Sequence, residues 1–243
     1  MPVPPAFEVL VSGARMLAPG VRELVLERVD GAPVEFEAGQ WMNLVLPLPT
    51  GEARRAYSIA SAPNGGPTFE VAVTKVDGGP GSTYLHDLPV GAPLLASGPQ
   101  GFFTRPRGAA HPALFVGTGT GVAPLRSMIK DALAAGEASP MTLLFGARRE
   151  VDRLWREEFE ELTARHPHFR AIYTLSQPQA DRPGMRGYVQ AHAAALWREL
   201  EGKGAGAPHV YICGLERMVS AVRHLFRDDV GVDRKRVHTE RYD

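Results

Sequence analysis

LFVGTGTGVAPL, residues 114–125, is the stretch on which the fold turns. Leu114, Phe115 and Val116 are an apolar run suited to a buried strand, Gly117, Gly119 and Gly121 follow, and Pro124 stands where the first turn of a helix accepts proline. Glycines between a strand and a helix let backbone approach a pyrophosphate, and the helix start adds free N–H groups with a partial positive charge. The spacing G-x-G-x-G-x-x-P differs from G-x-G-x-x-G, and a tight structural turn is the plain alternative.

Downstream, strand-like and helix-like stretches alternate. VAPLRSMIKDALAAG reads as the helix, stopped at Gly136; MTLLFGA (141–147) is a strand and DRLWREEFEELTARH an amphipathic helix. FRAIYTLS (169–176) is the next strand, backed by a helix around 188–200; PHVYICG (208–214) is another, with LERMVSAVRHLFRDD as its helix. Alternation of this kind builds a doubly wound parallel sheet.

Upstream the period changes. FEVLVSGARML, VRELVLERV, WMNLVLPL, RAYSIAS, TFEVAVTKV and APLLASG, between residue 7 and about 103, are short strands divided by Pro and Gly, as in a small closed barrel. TRPRGAAHP (104–112) marks the boundary. The expectation is two domains: an antiparallel β-barrel at 1–106 and an α/β doubly wound parallel sheet at 107–243.

Composition narrows the function classes. Lys+Arg and Asp+Glu are both 27, which argues against a broad nucleic-acid or membrane-surface footprint. No apolar run approaches a bilayer span and the N-terminus does not read as a signal peptide, so a cytoplasmic location is expected. Cys213 is the single cysteine, so these residues make no internal disulfide and no cluster held by four cysteines; no metal site is expected.

The barrel half carries its own candidate cradle, RRAYSIAS (54–61) followed by GGPGSTYLHDL (78–88). Arg55 and Tyr57 share one face of a strand, with Ser58 on the other side or at the strand's end. An Arg can pair with a phosphate, a Tyr can stack on a planar ring, and a Ser hydroxyl can bond a ring nitrogen. Gly79, Gly81, Ser82 and Thr83 offer backbone and hydroxyl donors where a helix begins. Each has an ordinary alternative: a solvated Arg55, a core-packing Tyr57, a simple GPGST turn. Two cradles in one chain most simply hold two nucleotides, one per half.

In order and across nearly the whole chain, Arg-x-Tyr-Ser, GxGST, GTGTGVAPL, YICG and a terminal Glu-Arg-Tyr resemble the ferredoxin–NADP reductase family. That resemblance implies a flavin-binding barrel followed by a nicotinamide-nucleotide domain. It places Arg55 on the FAD pyrophosphate, Tyr57 on the isoalloxazine and Ser58 at N5, with Gly81, Ser82 and Thr83 as the second pyrophosphate contact. Gly119, Thr120 and Gly121 become the pyridine-nucleotide loop, and Cys213 with Gly214 lies near the nicotinamide. The rule that ligands bind beyond the carboxyl ends of parallel strands puts Cys213 there independently, although a lone cysteine is commonly just a small buried apolar residue. Glu240 and Tyr242 match the terminal Glu-x-Tyr, whose aromatic covers the flavin; here Asp243 follows, unlike the plant-type members. In such a pair hydride moves from nicotinamide C4 to flavin N5 when the rings stack, so positioning supplies much of the rate.

NADP(H) is expected over NAD(H). NAD-specific doubly wound domains end the second strand in an acidic residue, whereas MTLLFGA ends in Arg148 and Arg149. The next strand ends in Ser176, and Arg186-Gly187-Tyr188 resembles the basic-x-Tyr that grips the phosphate and stacks on adenine in NADP-specific relatives. CGLERM likewise resembles their Cys-Gly-Leu segment. Gln177, where those relatives carry Arg, and the nearby Glu150 weigh the other way. The expected acceptor is a separate carrier: a ferredoxin, a flavodoxin or an oxygenase component. An NAD(P)H:flavin reductase is the alternative within enzymes, and a non-catalytic nucleotide-binding redox module the alternative outside them.

Overall fold

The computed structural model describes residues 4–180 and 183–242, which form two compact units. Asp243, weighed above, lies outside the described residues. The first unit runs to Arg105 and includes Arg126–Asp131; the second takes Pro106–Leu125 and the chain from Ala132.

In the first unit the elements are β1 (Ala6–Ala18), β2 (Val21–Arg28), β3 (Trp41–Leu48), β4 (Gly51–Ser58), β5 (Thr68–Thr74), α1 (Pro80–Asp87) and β6 (Pro93–Gln100). All six strands expected from the apolar patterns form, in the order β4-β3-β6-β1-β2-β5, each antiparallel to its neighbour. Ile59, just past β4, bridges to Val71 of β5, and the Ala60 N–H donates to the Glu70 carbonyl at 2.7 Å. The two outer strands thereby meet, which removes the unpaired edges an open sheet would expose. Alternation in TFEVAVT sends Phe69, Val71 and Val73 into the core. Leu85 of α1 is fully buried in the same core. Its burial, worth roughly 1.5–3 kcal/mol, pins the short helix against the barrel.

The second unit is built on β7 (Ala113–Thr118), α2 (Val122–Ala134, apart from Arg126–Asp131), β8 (Met141–Ala147), α3 (Arg156–Arg165), β9 (Phe169–Leu175), β10 (Met185–Arg186), α4 (Gln190–Leu200), β11 (His209–Leu215), α5 (Glu216–His224) and β12 (Val237–Tyr242). The sheet is wholly parallel in the order β10-β9-β8-β7-β11-β12. From β7 the chain winds outward through β8 and β9, then returns to β11 on the other side of β7. The carboxyl ends of β7 and β11 therefore flank the switch point where sheets of this kind bind ligands.

Two expectations about helices are corrected. α3 begins at Arg156 and not at Asp152. The Asp152 carboxylate instead accepts the Arg149 N–H at 3.0 Å in a short turn, and Trp155 then takes φ 50° while almost wholly buried. Anchoring Trp155 in the core costs the helix its first turn. The last helix is α-helical only to His224 and continues through Leu225–Asp229 as a wider, π-type turn.

Candidate active site

In the first unit, β4 presents the Arg-x-Tyr-Ser motif along one strand, with Arg55 opposite Leu44, Tyr57 opposite Met42 and Ser58 opposite Trp41 on β3. Arg55 is exposed, and its Nη1 donates to the Arg54 carbonyl at 2.9 Å. Its side chain lies over the start of α1: a Cβ added at Gly81 would sit 3.6 Å from Arg55 Cγ and 3.0 Å from Leu46 Cδ1. The approach to Leu46 is the tight one, while that to Arg55 is ordinary contact. The motif and the GPGST loop, more than twenty positions apart in sequence, thus meet at one place. Thr83 N–H bonds back to the Gly79 carbonyl at 3.0 Å. The N–H groups of Gly81 and Ser82, in the first turn of α1, have no intrahelical acceptor to reach. A guanidinium beside free N–H donors is a fitting donor set for a pyrophosphate.

Ser82 is placed differently from a simple phosphate donor. Its Oγ accepts from the Val76 N–H at 3.0 Å and donates to the Gly79 carbonyl at 3.1 Å, so the hydroxyl holds the loop in shape. Tyr57 is half-buried against the barrel core, and burial pushes its phenol up to about 12, against the opposing pull of Arg55. The ring stays neutral through the physiological range. Ser58 closes β4 and is buried.

In the second unit, the chain leaves β7 through the single turn Gly119–Gly121 and enters α2. A Cβ on Gly121 would lie 2.4 Å from the Cys213 carbonyl oxygen and 2.5 Å from Gly214 Cα. The missing side chain is what seats the glycine loop against the end of β11. Cys213 is fully buried and pairs in register with Glu240 of β12, its Sγ 4.0 Å from Oε1. Burial, reinforced by the Glu240 charge, pushes the thiol well above its ordinary range, while hydrogen bonds from Tyr242 and the Gly214 backbone oppose the rise. Cys213 is therefore a neutral, soft wall and not a thiolate. Cys213, Glu240 and Tyr242 are neighbours at the carboxyl ends of β11 and β12. Farther down the same face, His209, Tyr211 and His238 stack, and burial followed by the charge of His209 holds His238 down at about 4.

The expected phosphate-reading residues gather at neighbouring strand ends. The Ser176 N–H donates to the Ala147 carbonyl at 3.0 Å and the Gln177 N–H to the Arg148 carbonyl at 2.9 Å, tying the ends of β8 and β9 together. β10, too short to leave a period in the sequence, aligns Arg186 with Leu175, and the Arg186 guanidinium donates to the Ala180 carbonyl. Tyr188 is 68% exposed, an aromatic face open to a planar ring. Arg148 is exposed and has no ion-pair partner among the described residues, whereas Arg149 pairs with Asp152 at 3.3 Å. Glu150, the acidic residue expected to disfavour a phosphate, lies 2.8 Å from Arg153.

Two donor sets, one per unit, are what a flavin- and pyridine-nucleotide-dependent oxidoreductase requires. Residues 16–104 match the family described as the oxidoreductase FAD-binding domain and residues 115–224 that of the oxidoreductase NAD-binding domain. Over 238 residues the sequence is 57% identical to ferredoxin–NADP reductase B of Sorangium cellulosum, covering 98% of each chain. It is 32% identical to the phenol hydroxylase P5 protein of Acinetobacter pittii, across 97% of this chain and 65% of that longer one. Among solved structures, a cytochrome P450 reductase from Amycolatopsis superposes with a TM-score of 0.83 at 27% identity, covering 99% of this chain and 71% of that one. The chain belongs to the ferredoxin–NADP reductase family. Among the described residues no helix is long and apolar enough to cross a membrane, and no cluster of His, Cys, Asp or Glu could hold a metal ion.

Proposed function

We propose that this enzyme passes electrons from NADPH through a firmly held FAD to a separate one-electron carrier protein. The observation that carries the reading is the seating of Gly121 against Cys213–Gly214, which gathers a nucleotide loop, a neutral thiol and a carboxylate at one switch point. Bound together, the nicotinamide and the flavin supply hydride transfer and the release of electrons singly. The chain's part is to hold and orient them. Arg55 and the first N–H groups of α1 grip the flavin's pyrophosphate, Tyr57 lies along its ring, and Ser58 offers a hydroxyl to the ring nitrogen. Thr83 adds a hydroxyl at the same cradle. Gly119, Thr120 and Gly121 take the nicotinamide nucleotide's pyrophosphate, and Cys213, Glu240 and Tyr242 border its reacting end.

The preference for NADPH is supported by Arg148, Ser176 and Arg186 at adjoining strand ends, with Tyr188 open for the adenine. Glu150 lies beside Arg153, which lessens its weight against a phosphate. The carrier is supported by the relatives, a ferredoxin–NADP reductase and a phenol hydroxylase P5 protein. With one cysteine, these residues hold no four-cysteine cluster of their own.

The flavin half is tested by Arg55→Ala. A hydrogen bond to a charged group contributes about 1.5–3 kcal/mol, so the FAD dissociation constant is expected to rise roughly 10- to 100-fold. An Arg55→Ala protein that purifies with full flavin occupancy and wild-type affinity would remove Arg55 from the site.

A further inference from the structure

We propose that Arg126 and Ser127 are positioning residues for the flavin chemistry: they clamp the chain just beyond Ser58 and so fix where its hydroxyl is presented. The proposal rests on the reading above that Ser58 serves the flavin ring. Both residues lie in Arg126–Asp131, the stretch beyond Arg105 that belongs to the first unit. Arg126 is 3% exposed and Ser127 is fully buried, yet neither belongs to either cradle. A buried guanidinium gives up hydration that an apolar side chain of similar volume would not, so its partners must account for its presence.

Those partners converge on one joint. At Ser58 the chain stops pairing with β3, where Ser58 stands opposite Trp41, and crosses to β5 through the bridge from Ile59 to Val71. Ile59, Ala60 and Ser61 are buried along that passage, so their carbonyls need partners inside the protein. Arg126 Nη1 donates to the Ala60 carbonyl at 2.8 Å and to the Glu70 carboxylate of β5 at 2.5 Å. The Ser127 hydroxyl donates to the Ser61 carbonyl at 2.6 Å. Glu70 in turn donates its N–H to the Ser61 hydroxyl at 3.1 Å. One guanidinium thus grips both sides of the joint, a carbonyl on the chain leaving Ser58 and a carboxylate on the strand that receives it. Without the clamp two buried carbonyls lose these partners and the passage relaxes. A displacement of about 1 Å can cost a positioned group about 10²-fold in rate.

Anaerobic stopped-flow reduction of the FAD-bound enzyme at saturating NADPH, measured per bound flavin, tests this. Arg126→Met is expected to slow reduction about tenfold and to keep FAD affinity within about twofold of wild type. Arg126→Lys, which retains a charged donor, should regain part of the rate. Ser127→Ala, which removes one oxygen, should slow reduction in the same way. Repeated in a Ser58→Ala background, each substitution should cost less than about a further twofold, because no hydroxyl remains to be misplaced. A wild-type rate in Arg126→Met, or in Ser127→Ala if the first variant does not fold, would overturn the proposal. An equal loss with and without the Ser58 hydroxyl would overturn it too. A wild-type rate in Ser58→Ala alone would instead overturn the reading of Ser58 on which it rests.

Discussion

Gly121→Ala is expected to unseat the nucleotide loop and to destabilise the second unit together. The added Cβ would fall 2.4 Å from the Cys213 carbonyl oxygen, and the obstacle is backbone, which cannot rotate aside as a side-chain tip can. Relief requires the turn after β7 to move away from the end of β11. Overpacking of this kind costs about 1–3 kcal/mol, or a melting point lower by roughly 2–12 °C for a domain of this size. Because the same turn carries the proposed pyrophosphate contacts, the NADPH dissociation constant should rise as well, by about tenfold or more. Thermal melting and equilibrium titration measure the two effects. A variant with wild-type melting point and NADPH affinity would show that the close approach does not matter.

Ser58→Ala is expected to slow flavin reduction by about 10²-fold, the lower end of what a positioned hydroxyl contributes to a proton-coupled step. Ser58 ends β4, is buried, and precedes Ile59, whose bridge to Val71 closes the barrel. Its backbone is thus fixed from both sides, and removing one oxygen should leave the barrel intact. The reading therefore expects full FAD occupancy with slow reduction in stopped-flow traces. Reduction at the wild-type rate would take the hydroxyl out of the chemistry. Loss of flavin in place of loss of rate would make Ser58 a retention residue only.

Much of this arrangement was legible in the residues because its demands are local. The glycine at 121 must lack a side chain, and the alternation in TFEVAVT must face one way, whatever surrounds them. The missed features are set by distant parts of the chain. The late start of α3 follows from burial of Trp155, which a helical period cannot reveal. β10 is two residues long and exists only through its register with Thr174 and Leu175.

The central claim, that this chain is an NADPH-reading flavoenzyme, is tested most directly by adding one equivalent of NADPH, and separately of NADH, to the purified yellow protein without oxygen. The account predicts that NADPH bleaches the visible flavin band within the mixing experiment, and that NADH does so at least tenfold more slowly. Faster bleaching by NADH would leave Arg148, Ser176 and Arg186 without their proposed role. A visible spectrum unchanged by either nucleotide would contradict the account.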